Sequence, residues 1–483
     1  MTDEQRVVVI GTGPAGATAA WALQRAGIAV TVLEAGSEES AGGMNLRVPG
    51  LTVFRSRREL HQATPEELKS DTASWYFDLS AGGLSNQWTC AVPRFSPEDF
   101  TEGDEQHRWP IGYEDLKPHY GPVEEVLRIA GAGYDAAQVP GGLVSDKLTL
   151  PPDWEKVAKA ARDRGQGLVP LPLSYAGQWS VTRSGTPFNS YVRMLQQLPR
   201  SDRFRIEFGA KVLRLEWSME KRRVTRAVYE QGGVERSIEA KAFVVAAGTM
   251  NSTRLLLQSI SADFPHGLGN TDGVLGRYLH DHPLGKIAVN LSRPLPVHPP
   301  VYLSREAYGS VGPFAGIATI LWSGTAIRLR SSLSKTPGKA MQIGFNLFGS
   351  MTPREESQVL LASGGKLEIR LRFGPETDAL LRRGRDRLLT ILDDAGHKAT
   401  VDGWMVEKPG TSVHYGGTIR MHEKPRYGML DGWNRLHAAP NVLVVDSSAF
   451  TTGPEKNPTL TSMAISGRAA TKLAATLSSG PGG

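Results

Sequence analysis

A glycine-rich turn near the start of the chain constrains the fold more than any other feature. The apolar run Val7–Ile10 leads into Gly11, Gly13 and Gly16, and an alanine-rich segment and a second apolar run over 29–33 follow. Strand, glycine turn, helix and strand in this order form half of a doubly wound parallel sheet. There the three glycines permit a tight turn, a close approach to a pyrophosphate and close helix–strand packing, respectively. The sequence therefore predicts a dinucleotide at the helix N-terminus, where free N–H groups favour an anion.

Glu34 ends the second apolar run and is expected to accept hydrogen bonds from both ribose hydroxyls of an adenosine half. The turn and Glu34 together leave FAD and NAD open. Two later buried runs favour FAD, because they bring the chain back to the nucleotide fold and so wrap a long cofactor. These runs end at Gly248 and at Asp446.

The middle of the chain has a different pattern. Segments 204–217 and 224–231, joined by a charged turn, predict a hairpin. Further strand-like segments and one helix predict an antiparallel sheet that a helix crosses; they are 286–292, 316–323, 341–348 and 366–372, with the helix at 376–394. The predicted fold class is therefore α/β, with a Rossmann-like FAD-binding domain and an α+β substrate domain, both discontinuous in sequence. The FAD-binding parts are 1–130, 201–284 and 411–483, the last with the catalytic block, and the substrate parts are 131–200 and 285–410.

The composition of the chain limits the classes of partner and of enzyme that it can represent. The formal charge of +6 and the pI near 9.2 would suit a nucleic acid or an anionic membrane, but acids interrupt the short basic runs, so we expect a solvated surface and neither partner. No apolar run approaches the roughly 18 residues that span a bilayer. No leader segment fits ahead of Val7, and the expected location is the cytoplasm. Cys90 is the single cysteine, which excludes the redox-active cysteine pair of a disulfide reductase.

Several motifs make the chain resemble the glucose–methanol–choline (GMC) family of flavoprotein oxidoreductases. They lie at 8–16 with 34–36, 109–120, 246–256, 276–283, and the C-terminal pair 414–418 and 446–459. Segment 81–95 is similar to the flavin-contacting segment of the pyranose oxidases and of bacterial sugar and C-glycoside oxidases. In the fungal pyranose oxidases a histidine before the tryptophan is bonded to the flavin, and Gln87 stands in its place here. The resemblance therefore implies non-covalent FAD.

The same resemblance implies a set of cofactor contacts. Thr89 is expected near flavin N5, and Cys90 is expected to be a small buried side chain beside the flavin. The complete predicted set is Gly11, Gly13, Gly16, Glu34, Ala35, Ser85, Asn86, Trp88, Thr89, Cys90, Ala91, Val212, Ala247, Gly248, Asp446, Pro458 and Thr459.

Oxidation of an alcohol requires a base that takes the hydroxyl proton while hydride leaves the carbon. Histidine suits this role because its pKa of about 6.5 leaves it neutral at working pH. His414 precedes Gly416 and Gly417, which suggests a tight turn close to a large ligand, and Asn457 precedes a proline, which disfavours helix. The resemblance implies that His414 is the base and that Asn457 donates a hydrogen bond to the same oxygen.

His280 and His282 alternate as a metal pair would, but no further ligand cluster accompanies them, so no metal is predicted and a structural or flavin-flanking role is favoured. The predicted reaction is oxidation of a secondary hydroxyl of a pyranose sugar or glycoside, with oxygen or another acceptor taking up the electrons. Three alternatives stay open: oxidation of another alcohol such as an aminosugar primary hydroxyl, a flavin monooxygenase, and a flavin-binding protein without catalysis. The oligomeric state stays undetermined.

Overall fold

The computed structural model describes residues 6–41, 68–70, 75–101, 103–174, 188–296, 299–305 and 339–479. The predicted strand at 316–323 lies outside the described residues. The described α-helices are α1 (Pro14–Arg25), α2 (Glu98–Thr101), α3 (Tyr113–Leu127), α4 (Pro152–Arg162), α5 (Thr249–Gln258), α6 (Glu376–Asp394) and α7 (Thr459–Ser478). Short 3-10 turns span Glu38–Ala41, Gly83–Asn86, Glu105–His107, Ser363–Gly365 and Ser447–Ala449, and a π-helical turn spans Tyr191–Leu195.

The described strands belong to one larger sheet and several small ones. They are β1 (Val7–Ile10), β2 (Val30–Glu34), β3 (Leu68–Ser70), β4 (Ile129–Gly131), β5 (Asp146–Lys147), β6 (Leu168–Pro170), β7 (Leu173–Ser174), β8 (Phe204–Phe208), β9 (Lys211–Ser218), β10 (Arg223–Gln231), β11 (Val234–Glu239), β12 (Ala242–Val245), β13 (Leu284–Pro296), β14 (Val301–Leu303), β15 (Lys339–Phe348), β16 (Gln358–Leu361), β17 (Leu367–Arg370), β18 (Ala399–Val406) and β19 (Val442–Val444).

The larger sheet is parallel and has the order β19-β12-β1-β2-β8 among the described strands. Its central strands are continuous apolar runs because both faces are covered. The chain moves from β1 to β2 on one side and later places β12 on the other side of β1. Such a reversal marks the edge at which open α/β sheets bind ligands, outside the carboxyl ends of the strands.

Helix α1 begins at Pro14, whose fixed φ suits a first helical position, and it ends before Gly27, which has φ +75°. Helix α7 packs along α1, and α3 packs on α7. Because strands from residue 7 to residue 444 build one parallel sheet, this sheet is discontinuous in sequence, and the predicted fold class is confirmed.

A second sheet is antiparallel, with the order β15-β13-β18 in the described part of the chain. Helices α4 and α6 pack on it around a separate apolar core that includes Val289, Phe345 and Leu388. The predicted strands 286–292 and 341–348 and the predicted helix are found here. The predicted strand 366–372 is wrongly assigned to this sheet, because β17 pairs with β16 and β3 instead, and the sequence did not predict β18. The five-part domain division stays a prediction.

The predicted hairpin at 204–217 and 224–231 is wrong in its first half. Residues 204–208 form β8, which joins the edge of the parallel sheet beside β2, and only β9 pairs with β10. Gly209, with φ +65°, separates β8 from β9. A third strand, β11, completes that small antiparallel sheet. Within the described residues, no helix is both long enough and apolar enough to cross a membrane.

Candidate active site

At the glycine turn, Gly11 and Gly16 are tightly packed, whereas Gly13 has open space beside it. A Cβ on Gly11 would lie 2.6 Å from the carbonyl oxygen of Ala246, and a Cβ on Gly16 would overlap the carbonyl oxygen of Gly11. These two glycines let β1, α1 and the end of β12 pack closely. A Cβ on Gly13 would meet nothing within 4 Å, so the backbone there is open to an approaching group.

Glu34 lies beside this turn and is buried. Its Oε2 accepts hydrogen bonds from the backbone N–H of Thr12 at 2.8 Å and from Thr12 Oγ1 at 2.5 Å, and its Oε1 accepts from the N–H of Gly36 at 2.8 Å. Burial raises the pKa of Glu34 to about 7, against the effect of these hydrogen bonds. Each carboxylate oxygen keeps a lone pair that a ribose hydroxyl can use. Val212 lies two residues beyond Ala210, whose N–H bonds to the backbone oxygen of Glu34.

Asp446 closes the opposite side of the same sheet edge. Its Oδ2 accepts from the N–H of Gly248 at 3.0 Å and from Ser252 Oγ at 2.5 Å, and its Oδ1 accepts from Ser448. The carboxylate thus joins the end of β12, Ala247 and the start of α5 to the end of β19. A Cβ on Gly248 would meet nothing within 4 Å, so a second open backbone position lies at this edge.

Segment 81–91 covers the glycine turn. The Gly82 N–H donates to Thr12 Oγ1 at 2.8 Å. Ser85 Oγ bonds to the Gly82 carbonyl, and Asn86 Nδ2 donates to the carbonyl oxygens of Ala81 and Gly83. The polar groups of Ser85 and Asn86 therefore hold this segment in shape.

Residues 88–91, at the end of this segment, contact parts of the chain that are distant in sequence. Trp88 donates its indole N–H to the Phe188 carbonyl at 2.9 Å, whereas Thr89 is exposed. Cys90 is buried with φ +65°, and Ala91 bridges to Leu173. A positive φ is unusual for a residue other than glycine and is frequent at functional sites.

His414 and Asn457 come together, although 43 residues separate them in sequence. Asn457 Nδ2 lies 3.0 Å from His414 Nε2. Burial lowers the pKa of His414 to about 4, so the imidazole is neutral near pH 7. Asn457 ends the loop before Pro458 and Thr459, where the buried helix α7 begins.

The loop that carries His414 is attached to the dinucleotide edge of the sheet. Thr249 Oγ1, in the first turn of α5, donates to the carbonyl oxygen of Tyr415 at 2.8 Å, and Thr253 Oγ1 donates to Thr418 Oγ1 at 2.8 Å. The backbone on both sides of His414 is unusual, since Val413 has φ +60° and Thr418 has φ +71°. The base candidate and the glycine turn are thus parts of one edge.

Segment 280–282 forms hydrogen bonds with the same loop. Asp281 accepts hydrogen bonds from the backbone N–H groups of Gly410 at 2.8 Å and His414 at 3.0 Å, and from Ser412 Oγ. Burial raises the pKa of Asp281 to about 6. His282 Nδ1 lies 3.1 Å from His414 Nδ1. Within the described ranges, neither His280 nor His282 belongs to a group of three or more His, Cys, Asp or Glu side chains that could hold a metal ion.

Gly416 and Gly417 have a packing role in the protein. A Cβ on Gly416 would collide with the His280 ring, and a Cβ on Gly417 would collide with the carbonyl oxygen of Tyr278. The two glycines therefore allow close contact with segment 278–280 of the protein itself. Gly416 and His280 pair their backbones at this point.

A buried cluster of four charged side chains lies next to Asn457. Lys456 Nζ donates to Asp99 Oδ2 at 2.8 Å and to Glu455 Oε1 at 3.0 Å, and an Arg305 amino group lies 2.9 Å from Asp99 Oδ1. Burial alone would raise the pKa of Asp99, but the charges of Lys456 and Arg305 outweigh it and keep that pKa below its usual value. The sequence reading missed this cluster.

Two family models match separate parts of the chain. A model described as GMC oxidoreductase matches residues 353–466, which include both His414 and Asn457, and a model described as FAD dependent oxidoreductase matches residues 6–100, which include the glycine turn. The chain therefore carries the C-terminal domain of the GMC oxidoreductases behind an FAD-dependent oxidoreductase domain.

Its relatives cover nearly the whole chain. The 2-methyl-1,2-propanediol dehydrogenase of Mycolicibacterium austroafricanum is 28% identical, over 97% of this chain and 94% of its own length. The 6'''-hydroxyparomomycin C oxidase of Streptomyces lividus is 26% identical, over 98% and 91%. The pyridoxine 4-oxidase from Mesorbium loti superposes with a TM-score of 0.64 at 19% identity, covering 97% of this chain and 99% of its own, which shows a shared fold.

With these two domains the chain is an FAD-dependent enzyme that acts on alcohol groups, and its residues fit the cofactor. Helix α1 has no side-chain cap and no acidic residue in its first turn, so its N-terminus is free to receive an anion. The open position at Gly13 is the cradle that a Cβ would fill. In addition, Gln87 Oε1 is buried and has no hydrogen-bond partner among the described residues, which suits a ligand that donates a hydrogen bond.

Proposed function

We propose that this enzyme oxidises a secondary hydroxyl of a pyranose sugar or glycoside to a ketone, with His414 as the base. The observation that carries the proposal is the pair His414 Nε2 and Asn457 Nδ2, 3.0 Å apart, with the loop of His414 attached to the start of α5 at the edge of the parallel sheet. One nitrogen of this pair accepts a proton and the other donates one. A hydroxyl that enters between them meets both groups that alcohol oxidation requires.

The two side chains have separate tasks. His414 is neutral because burial lowers its pKa, so Nε2 accepts the proton of the substrate hydroxyl. Asn457 donates an N–H to the same oxygen and stabilises the negative charge that develops there. An amide does not compete for the proton, so the division of labour is maintained throughout the reaction. When bound, FAD supplies the acceptor for the hydride that leaves the carbon.

The substrate class rests on segment 81–95 and on its similarity to the flavin-contacting segment of pyranose and glycoside oxidases. A second candidate is oxidation of an aminosugar at a primary hydroxyl. The similarity to a 6'''-hydroxyparomomycin C oxidase favours it. Both candidates use the same base and the same donor, and they differ only in which hydroxyl carbon the site presents.

An anaerobic screen tests the proposal. The holoenzyme is mixed with monosaccharides, glycosides and aminosugars, and loss of the oxidised-flavin absorbance is followed. At least one sugar or glycoside is expected to bleach the flavin. Bleaching by NADPH, with none by any alcohol, would instead identify a monooxygenase.

Two substitutions test the assigned roles. His414→Ala is expected to slow flavin reduction by about 10²- to 10⁴-fold, since a general base contributes about that much. Asn457→Ala should slow it by about 10²- to 10³-fold, since it removes a donor to the developing charge. The exposed His266 provides the matched control, and His266→Ala should reduce flavin at the wild-type rate. Wild-type rates in the first two variants contradict the assignment.

We also propose that the FAD is held without a covalent bond. Gln87 stands where a flavin-bonded histidine stands in the fungal pyranose oxidases, and its Nε2 donates to Asp78 Oδ2 at 2.9 Å. Denaturation in mild acid should release all flavin into the supernatant. Flavin that stays with the precipitated chain contradicts this proposal. The reaction uses oxygen or another electron acceptor, and comparing reoxidation by air with reoxidation by a dye distinguishes an oxidase from a dehydrogenase.

A further inference from the structure

Both ring nitrogens of His414 have partners, and the partners determine where its proton sits. Nε2 lies 3.0 Å from Asn457 Nδ2, and Nδ1 lies 3.1 Å from His282 Nδ1. An amide nitrogen is a donor only, so Nε2 must present its lone pair. In a neutral imidazole the proton is then on Nδ1, which donates to His282. We propose that His282 is a positioning residue that holds His414 in the tautomer able to accept the substrate proton.

This inference rests on the proposed role of His414 and replaces the general structural or flavin-flanking role expected of His282 by a specific one. The opposite tautomer, with the proton on Nε2, presents no lone pair to a hydroxyl. A buried Nδ1–H without an acceptor costs free energy, so the acceptor on His282 favours the active form.

The state of His282 is compatible with this task. Its Nδ1 must accept, which places its own proton on Nε2, and the backbone of Pro454 is its other hydrogen-bond partner. Burial, followed by the charges of His414 and His280, lowers the pKa of His282 well below 6.5, so it stays neutral. A backbone carbonyl does not take up a proton. The pair therefore sets a tautomer and does not carry a proton to solvent.

Adjacent residues hold His414 at two points. Asp281 accepts the backbone N–H of His414 at 3.0 Å, while His282 accepts from its ring. Phe348 packs against both rings, with centroids 5.9 Å from His282 and 5.3 Å from His414. The backbone, the ring plane and the tautomer of the base are thus all fixed by its neighbours.

Two variants of the holoenzyme separate an acceptor from a space-filling side chain. Asn Oδ1 lies close to the position of His Nδ1, so His282→Asn keeps an acceptor for His414. His282→Leu has a similar size and keeps none. We expect His282→Leu to slow anaerobic flavin reduction roughly ten- to a hundredfold, because the active tautomer loses its preference. The whole plateau of the pH profile should fall without a shift along the pH axis. His282→Asn should recover most of the rate.

Nitrogen NMR of holoenzyme labelled with ¹⁵N-histidine reads the tautomer directly and needs no substrate. The wild type and His282→Asn should show His414 with a protonated Nδ1 and an unprotonated Nε2, and His282→Leu should lose this pattern. A proton on Nε2 in the wild type overturns the inference, even if His282→Leu does not fold. Wild-type flavin reduction in His282→Leu also overturns it, provided that His414→Ala is inactive. If His414→Ala reduces flavin normally, it is the proposed function that fails.

Discussion

At the scale of single residues, burial decides the protonation state of His414. Its pKa is lowered to about 4 because the charged imidazolium loses its hydration. The neutral form accepts the proton, so flavin reduction by substrate should be constant at neutral pH and fall only as the pH approaches 4. An exposed histidine would lose activity near pH 6.5. Anaerobic stopped-flow rates between pH 4.5 and pH 8 test this prediction, and a histidine limb near pH 6.5 contradicts it.

A neighbouring carboxyl titrates in the same range and needs its own control. Burial raises the pKa of Asp281 to about 6, and as the pH falls through this value its hold on the backbone of His414 weakens. The variant Asp281→Asn has no such titration. A limb near pH 6 that disappears in Asp281→Asn therefore belongs to Asp281, whereas one that persists belongs to another group, such as Glu34, whose pKa is raised to about 7, His414 or the substrate.

At the scale of elements, the turn between β1 and α1 separates folding from cofactor binding. A Cβ on Gly16 overlaps the Gly11 carbonyl, so Gly16→Ala should lower the melting temperature of the protein and its FAD content together. Gly13 has φ −59° and open space around its Cβ position, so Gly13→Ala should leave the melting temperature of the flavin-free protein nearly unchanged. The same methyl group fills the FAD cradle and should weaken FAD binding. Equal loss of stability in both variants contradicts this assignment.

The elements also show what local sequence can predict. Helix α6 was predicted at its observed bounds, because its apolar positions repeat with helical spacing and Gly396 follows it. The prediction for the first half of the hairpin is wrong because β8 and β9 both alternate apolar and charged residues and follow each other closely, so they resemble one long strand. Only tertiary pairing shows that β8 joins β2 and that β9 joins β10.

At the scale of the whole molecule, the sequence likewise predicts the local motifs of the site but not the contacts between remote residues. The glycine turn, His414 and Asn457 lie in local motifs, so the sequence could point to them. The contact between His282 and His414 joins residues 132 positions apart, and the contact between Asp99 and Lys456 joins residues 357 apart. Such contacts depend on how the strands and loops pack, and no short pattern encodes them.

The four-charge cluster joins two remote parts of the chain to the loop of Asn457. Asp99 belongs to α2, Arg305 follows β14, and Glu455 and Lys456 precede Asn457. The buried charges therefore balance as two positive and two negative.

Lys456→Met removes one positive charge and should destabilise the protein by about 3–5 kcal/mol, because a buried carboxylate loses its partner. Asp99→Asn should have a comparable cost. The double variant restores neutrality and should cost clearly less than the two single variants together. Urea unfolding of the holoenzyme, followed by flavin fluorescence and by tryptophan fluorescence, measures all four proteins. Additive costs in the double variant would show that the two side chains stabilise the protein independently and that the cluster does not act as one unit.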